Sequence, residues 1–193
     1  AILSVSPYYN KPSQQGIYEH FKQVSMASDL PVIIYNVPPR TGSNITADTT
    51  LRLARDFDNI IGVKEASGDF DQALYLLRDK PSDFMIISGE DKLALPLVLA
   101  GGDGVISVIG QGLPKEFSKM IRLGLDGKPA QAFDIFYRVM ESIDLIFEEG
   151  NPAGIKCLLD ILDISSDGVR LPLFPATMDL RQKLTKFVAT FKN

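Results

Sequence analysis

The sequence has a single cysteine and a single histidine. With no second thiol, Cys157 cannot form an internal disulfide, which fits a reducing compartment. Its place in a helical pattern from Ala153 to Leu162 reads it as a small buried apolar residue. His20, in the Tyr18-Glu19-His20 stretch of the first helical pattern, reads as solvated. Basic blocks are missing too: the net charge is −4, so nucleic acid is not an expected partner. No apolar run reaches the ~18 residues that a membrane span needs. No charged-then-apolar leader opens the chain. Together these absences lead us to expect a cytoplasmic protein with no membrane partner. Linkers, low-complexity tracts and repeats beyond a βα unit are also absent. What remains, 193 residues of which 45% are hydrophobic and 23% charged, is ordinary for one globular domain with a real core.

Short apolar runs recur near residues 4, 34, 63, 86 and 106, each followed by a helical pattern. They are Ala1 to Val5, Val32 to Asn36, Ile60 to Lys64, Phe84 to Ser88 and Gly104 to Val108. Regular β–α alternation at this spacing implies parallel strands with crossover helices. The strands are apolar at successive positions rather than alternating, as a helix-covered parallel sheet requires. Ser13, Thr46 and Thr177 are expected helix caps. Pro96 should kink its helix or delay its start. Val37 to Gly42 reads as a loop. After the fifth strand the chain is helical. Pro114 and Pro129 each open a helix, and Phe133, Phe136, Tyr137, Met140, Ile143 and Phe147 recur at helical spacing as core or subunit contact. Two architectures fit: a doubly wound sheet, or part of an eight-stranded βα barrel. The barrel is favoured because notable residues follow every strand: Tyr9, Tyr35 with Arg40, Lys64, Gly89-Glu90, and Ile106-Ser107.

The centre of the sequence is Ile60-Ile61-Gly62-Val63-Lys64-Glu65-Ala66, a buried strand ending in a lysine. Burying an ammonium is costly unless it is paired or neutralised. Desolvation favours the neutral amine, which is a nucleophile toward carbonyl carbon. Lys64 is therefore a candidate Schiff-base residue; the plain alternative is a lysine whose stem packs while its head reaches water. Tyr35 ends the preceding strand, so its hydroxyl is expected near that amine, where imine chemistry needs a proton donor and acceptor. The alternative for Tyr35 is a core aromatic. Arg40 can hold a carboxylate with two hydrogen bonds, or be an exposed loop arginine. Glu65 and Glu90-Asp91 are carboxylates at strand ends and raise a metal site of little weight.

Ser6-Pro7-Tyr8-Tyr9-Asn10-Lys11-Pro12, Tyr35-Asn36-Val37-Pro38-Pro39-Arg40-Thr41-Gly42 and Ile60 to Ala66 resemble the signature segments of the dihydrodipicolinate synthases. These belong to the pyruvate-dependent Schiff-base aldolases. Ser88-Gly89-Glu90-Asp91 and Gly104 to Val108 resemble that family's last two strand ends. The resemblance covers the whole chain in order and implies an α/β fold of the TIM (β/α)8 barrel family. Only strands four to eight and the C-terminal helical extension would be here. Residues 1–112 would hold the βα repeats, and 113–193 the last barrel helix and helical region of the same structural unit. It implies condensation of pyruvate with L-aspartate 4-semialdehyde, without a cofactor or metal, in a homo-oligomer, usually a tetramer. Lys64 would form the imine, Tyr35 would shuttle protons to it, and Tyr9 would relay across a subunit boundary. Arg40 would receive the semialdehyde carboxylate. Ile106 and Gly89 would line the pyruvate pocket.

The Arg40-Thr41-Gly42 continuation separates this pattern from sialic-acid lyases and sugar-acid aldolases, which share the lysine and tyrosine. Two other readings stay open: another pyruvate-dependent lyase such as N-acetylneuraminate lyase, and a non-catalytic fragment. The resemblance leaves out the first three strands, with their threonine-rich turn and most of a lysine feedback site, of which only Tyr8 would remain. Five strands cannot close a barrel, so the chain reads as a fragment. Purified as 193 residues, it should give little or no condensation of pyruvate with aspartate semialdehyde. Detectable turnover in a coupled assay would contradict this.

Overall fold

In a computed structural model, residues 1–191 are described. The apolar runs form strands β1 Ile2–Val5, β2 Val32–Asn36, β3 Ile60–Glu65, β4 Met85–Ser88 and β5 Gly104–Val105. Between them lie helices α1 Gln14–Met26, α2 Pro38–Thr41, α3 Ala47–Asp56, α4 Phe70–Asp79 and α5 Ala94–Leu99. The strands make one parallel sheet in the order β1-β2-β3-β4-β5. That order decides between the two architectures. Crossovers between parallel strands are right-handed almost without exception. Stepping always in the same direction, they put every helix on the same face. A doubly wound sheet needs a reversal of order to cover its second face, and there is none here.

Burial follows from this winding. Val32, Ile34, Ile60, Val63 and Ile86 pack beneath the helices with Ile17, Phe21, Leu53 and Leu76. The alternate residues face the other way. Ile33, Tyr35, Lys64, Met85 and Ile87 are half-buried, and Leu3 and Val5 are exposed. Both faces are apolar, as the sequence suggests, but only the helix face is fully covered.

The caps at Ser13 and Thr46 form, accepting from the N–H of Gly16 and Thr49. Asp69 caps α4 in the same way, accepting from Gln72. Pro96 delays its helix rather than kinking it. Helix α5 begins at Ala94, so the proline falls in the first turn, where its missing N–H has no acceptor to lose. Two expectations are corrected. The expected Val37–Gly42 loop contains the helical turn α2, started by Pro38 and stopped by Gly42 at φ 67°, a left-handed conformation that favours glycine. The fifth strand ends at Val105, not Val108. Its partner β4 stops at Ser88 and offers one last acceptor, Ser88 O, to Ile106 N at 2.9 Å. His20 is half-buried with its ring edge against Phe21, and burial lowers its pKa.

Contacts divide the chain into two compact units, Ala1–Ile106 and the residues from Ser107 onward. The boundary lies ahead of the 112/113 division drawn on sequence, and residues 192 and 193 of that second segment fall outside the described residues. The second unit has a 3-10 turn at Ile109–Gln111, then α6 Pro114–Leu125, α7 Pro129–Glu148, α8 Ala153–Ile161 and α9 Met178–Phe191. Helix α7 is its centre and packs against α6, α8 and α9. Pro114 and Pro129 open their helices, and Thr177 Oγ1 accepts from Leu180 N at 3.3 Å. The buried face of α7 runs through Ala132, Phe136, Val139, Ile143 and Ile146. Tyr137, Met140 and Phe147 point outward instead. Gly154 lets α8 meet α7 closely, since a Cβ there would lie 2.1 Å from Ile146 O. Cys157 is buried, and burial raises its pKa. Among the described residues no helix is long and apolar enough to cross a membrane.

The two faces predict unequal costs of truncation. Ile34→Ala, on the fully buried face, should destabilise by about 2–5 kcal/mol. Ile33→Ala, on the half-buried face, should cost roughly 1 kcal/mol. Urea unfolding of both variants checks the difference, and equal costs would contradict the one-sided packing.

Candidate active site

Lys64 reaches its position through an irregularity in β3. Val32 pairs with Ile60, but the next residue, Ile33, pairs with Gly62, so Ile61 is an extra residue. Strict alternation from Ile60 would have put Lys64 on the helix-covered face, because side chains repeat every second residue. After the extra residue, Val63 and Glu65 face the helices and Lys64 faces the open side. The same shift sets Tyr35 opposite Lys64 rather than opposite Val63.

The lysine and tyrosine therefore meet. Lys64 Nζ lies 4.3 Å from the centre of the Tyr35 ring. The amine sits over the ring face. Ile87 is the partner of Lys64 on β4. Gly89 completes the wall: a Cβ there would lie 2.9 Å from Lys64 Cε and 2.6 Å from Ala66 Cβ. Only hydrogen at that position leaves the lysine stem its present path.

Burial lowers the Lys64 pKa; nearby Asp91 opposes this and Arg40 reinforces it. Burial also raises the Tyr35 pKa, against the pull of Arg40 and with a push from Glu90. The Glu90 carboxyl is itself raised by burial and by Asp91. So an amine with weakened affinity for protons sits over a phenol that holds its proton more tightly. An amine of this kind can attack a carbonyl, and a protonated phenol can supply the proton that the departing oxygen needs.

The remaining sequence candidates lie around this pair. Arg40 is exposed on α2, and its charge acts on both Lys64 and Tyr35. Ile106 is 38% exposed and hydrogen-bonded to the end of β4. Tyr9 is 88% exposed, in a left-handed conformation at φ 59° in the loop after β1. The structure brings Lys64, Tyr35 and Gly89 together, keeps Arg40 within electrostatic reach, and leaves Tyr9 exposed in its loop.

Sequence reasoning missed the polar layer behind the pair. Asn36, fully buried, donates to both carboxylate oxygens of Glu65, at 3.2 and 3.0 Å, and to Asn44 Oδ1 at 2.8 Å. Glu65 also accepts from Ser67 N at 2.7 Å and Gln72 Nε2 at 3.1 Å. Its carboxylate is thus occupied by donors. Among the described residues no cluster of three or more acidic, cysteine or histidine side chains is arranged to hold a metal. A signal was available: an asparagine and a glutamate closing two adjacent apolar strands need partners if buried, and each other is the nearest choice.

Residues 1–191 match the model of the dihydrodipicolinate synthetase family. The 4-hydroxy-tetrahydrodipicolinate synthase of Flavobacterium psychrophilum is 58% identical over 187 residues, covering 97% of this chain and 64% of the relative. The dihydrodipicolinate synthase structure from Thermotoga maritima superposes with a TM-score of 0.97 at 35% identity, over 100% of this chain and 66% of that one. A structure described as a monomeric dihydrodipicolinate synthase variant gives 0.96 at 36% identity, over 98% and 64%. The chain spans just under two thirds of the length of these relatives, so it covers only part of their barrel.

The Gly89 contact is testable. Gly89→Ala should destabilise the fold by about 1–3 kcal/mol through overpacking. A urea-unfolding midpoint unchanged from the parent would mean that the lysine stem does not lie across this backbone.

Proposed function

The chain belongs to the dihydrodipicolinate synthetase family, and we propose that its parent protein is a 4-hydroxy-tetrahydrodipicolinate synthase with Lys64 as the imine-forming residue. The observation that carries this reading is the Lys64 amine over the Tyr35 ring, with burial lowering the lysine pKa. On this reading the chain supplies strands four to eight of a (β/α)8 barrel. The half-buried face of the sheet, with Ile33, Tyr35, Lys64 and Ile87, becomes the barrel interior. The threonine-rich turn that binds the pyruvate carboxylate comes from the first three strands, outside this chain.

The chemistry follows from the groups present. The neutral Lys64 amine attacks the ketone carbon of pyruvate. Tyr35 delivers a proton to the oxygen, water leaves, and an imine remains. Loss of a methyl proton gives an enamine, whose carbon adds to the aldehyde of L-aspartate 4-semialdehyde. The semialdehyde amino group then displaces Lys64 from the imine carbon, closing the ring and freeing the lysine. Arg40 on its exposed turn receives the semialdehyde carboxylate. Tyr9, already projecting from its loop, relays protons in the site of a neighbouring subunit, which requires a homo-oligomer, with a tetramer expected. Ile106 and Gly89 line the pyruvate pocket. The steps need no cofactor, and on this reading the protein works in the cytoplasm. The Arg40 turn favours this substrate over the sugar aldehydes of the sialic-acid lyases.

The test is borohydride reduction of the full-length parent protein in the presence of pyruvate, followed by peptide mass spectrometry. A reduced pyruvyl adduct is expected on Lys64, and none in Lys64→Ala. Adduct on another lysine, or none on the folded parent protein, would overturn the reading.

A further inference from the structure

We propose that Asn36 and Glu65 are positioning residues that hold Lys64 against Tyr35. The inference rests on the reading of Lys64 as the imine-forming residue. The two residues directly follow Tyr35 and Lys64 and are themselves register partners on β2 and β3. Their side chains point to the opposite face, into the helix-covered side, where Asn36 is 0% and Glu65 6% exposed. They touch neither the amine nor the phenol ring; their effect on the chemistry runs through the backbone.

Register is the reason such a lock is needed. The pairing of β2 with β3 is irregular at Val32–Ile33, where one extra residue is accommodated. A sheet with a bulge has a near alternative one residue away, and that alternative flips the following side chains to the other face. The repeating backbone ladder does not by itself choose the register. The Asn36–Glu65 contact does, because it forms only when these two residues are opposite each other, which is the register that sets Tyr35 opposite Lys64. A slip would turn Glu65 away to the half-buried face, leave the buried Asn36 without that partner and drive the Lys64 ammonium into the helix-covered core, at heavy cost.

The lock is anchored from three sides. Asn36 Oδ1 accepts from Ile45 N at 3.0 Å, tying it to the segment after α2. Ser67 N and Gln72 Nε2 donate to Glu65 from the turn after β3 and from α4. Asn44 Nδ2 donates to Gln72 Oε1 at 2.8 Å, closing the ring of contacts. The backbone adds Ala66 N to Asn36 O at 2.8 Å and Gly89 N to Glu65 O at 2.6 Å. The second of these holds Gly89, the residue that shapes the lysine's path.

The opposite end of β3 supplies a control. Asn59, one residue before the strand, makes its own polar contacts, donating to Ser25 O at 2.9 Å and Ser28 O at 3.1 Å. It is as firmly built in but lies at the end away from Lys64. The experiment measures the rate of borohydride-trapped pyruvyl adduct on Lys64 in the full-length protein, per folded molecule, across pH. Parent, Glu65→Gln and Asn59→Ala are compared, with melting temperatures recorded. Glu65→Gln should trap about tenfold more slowly, as misplacement of a reacting group does. Its pH profile should move to higher pH as the amine loosens from its buried position. Asn59→Ala should lower the melting temperature yet leave rate and profile unchanged. If Glu65→Gln does not fold, Gln72→Leu, which strips one donor from Glu65, takes its place with a smaller slowing expected.

Normal trapping by the substituted protein would overturn the inference, as would equal slowing in Asn59→Ala, since stability alone would then explain the loss. Absence of adduct in the parent protein would instead overturn the assignment of Lys64, and the positioning role with it.

Discussion

One extra residue in a strand decides where the lysine goes. Ile61 is accommodated between the pairs Val32–Ile60 and Ile33–Gly62. Without it Lys64 would project into the helix-covered core, where an ammonium has no place. With it, the same residue projects over Tyr35. Every later feature of the site depends on that shift. Glu65 turns to the buried side and finds Asn36. Gly89 meets the lysine stem. The bulge also explains Gly62: a Cβ there would lie 2.8 Å from Met85 O, so the strand can jog toward β4 only without a side chain.

The sheet around the bulge is built so that chemistry and stability use different faces. The helix face holds the packed core of Ile34, Val63, Ile86, Phe21 and Leu76. The other face holds Tyr35 and Lys64 among half-buried aliphatics. Desolvation on that face is strong enough to lower the lysine pKa and raise that of the tyrosine. The polar layer of Asn36, Asn44, Glu65 and Gln72 lies on the helix side of the strand ends, where it stiffens the backbone from behind.

Much of this was legible in the sequence. The five apolar runs, the caps at Ser13 and Thr46 and the proline helix starts are local signals, and local sterics and hydrogen bonding enforce them. Lys64 and Tyr35 stand out because one is an ionisable group and the other a polar aromatic at the ends of apolar strands. The rest depended on contacts distant in sequence. The bulge cannot be seen in Ile60-Ile61-Gly62-Val63, where every residue is apolar and both faces look alike. Asn36 and Glu65 are far apart in the chain and become a pair only through the register. The α2 turn was hidden because Pro38-Pro39 reads as loop until Gly42 is seen to close a helical turn. Tyr137 and Phe147 were indistinguishable by period from the true buried face of α7, since aromatic residues occur on both sides of that helix.

The central claim is that the fold presents Lys64 as a partly desolvated amine beside Tyr35. Direct titration of the lysine side chains tests it. With lysine labelled at the ε position and Lys64→Met used for assignment, NMR should show the Lys64 signal changing at lower pH in the folded protein than in the urea-unfolded chain. If Lys64 titrates at the same pH in both states, the fold does not lower its proton affinity, and the imine-forming role loses its physical basis.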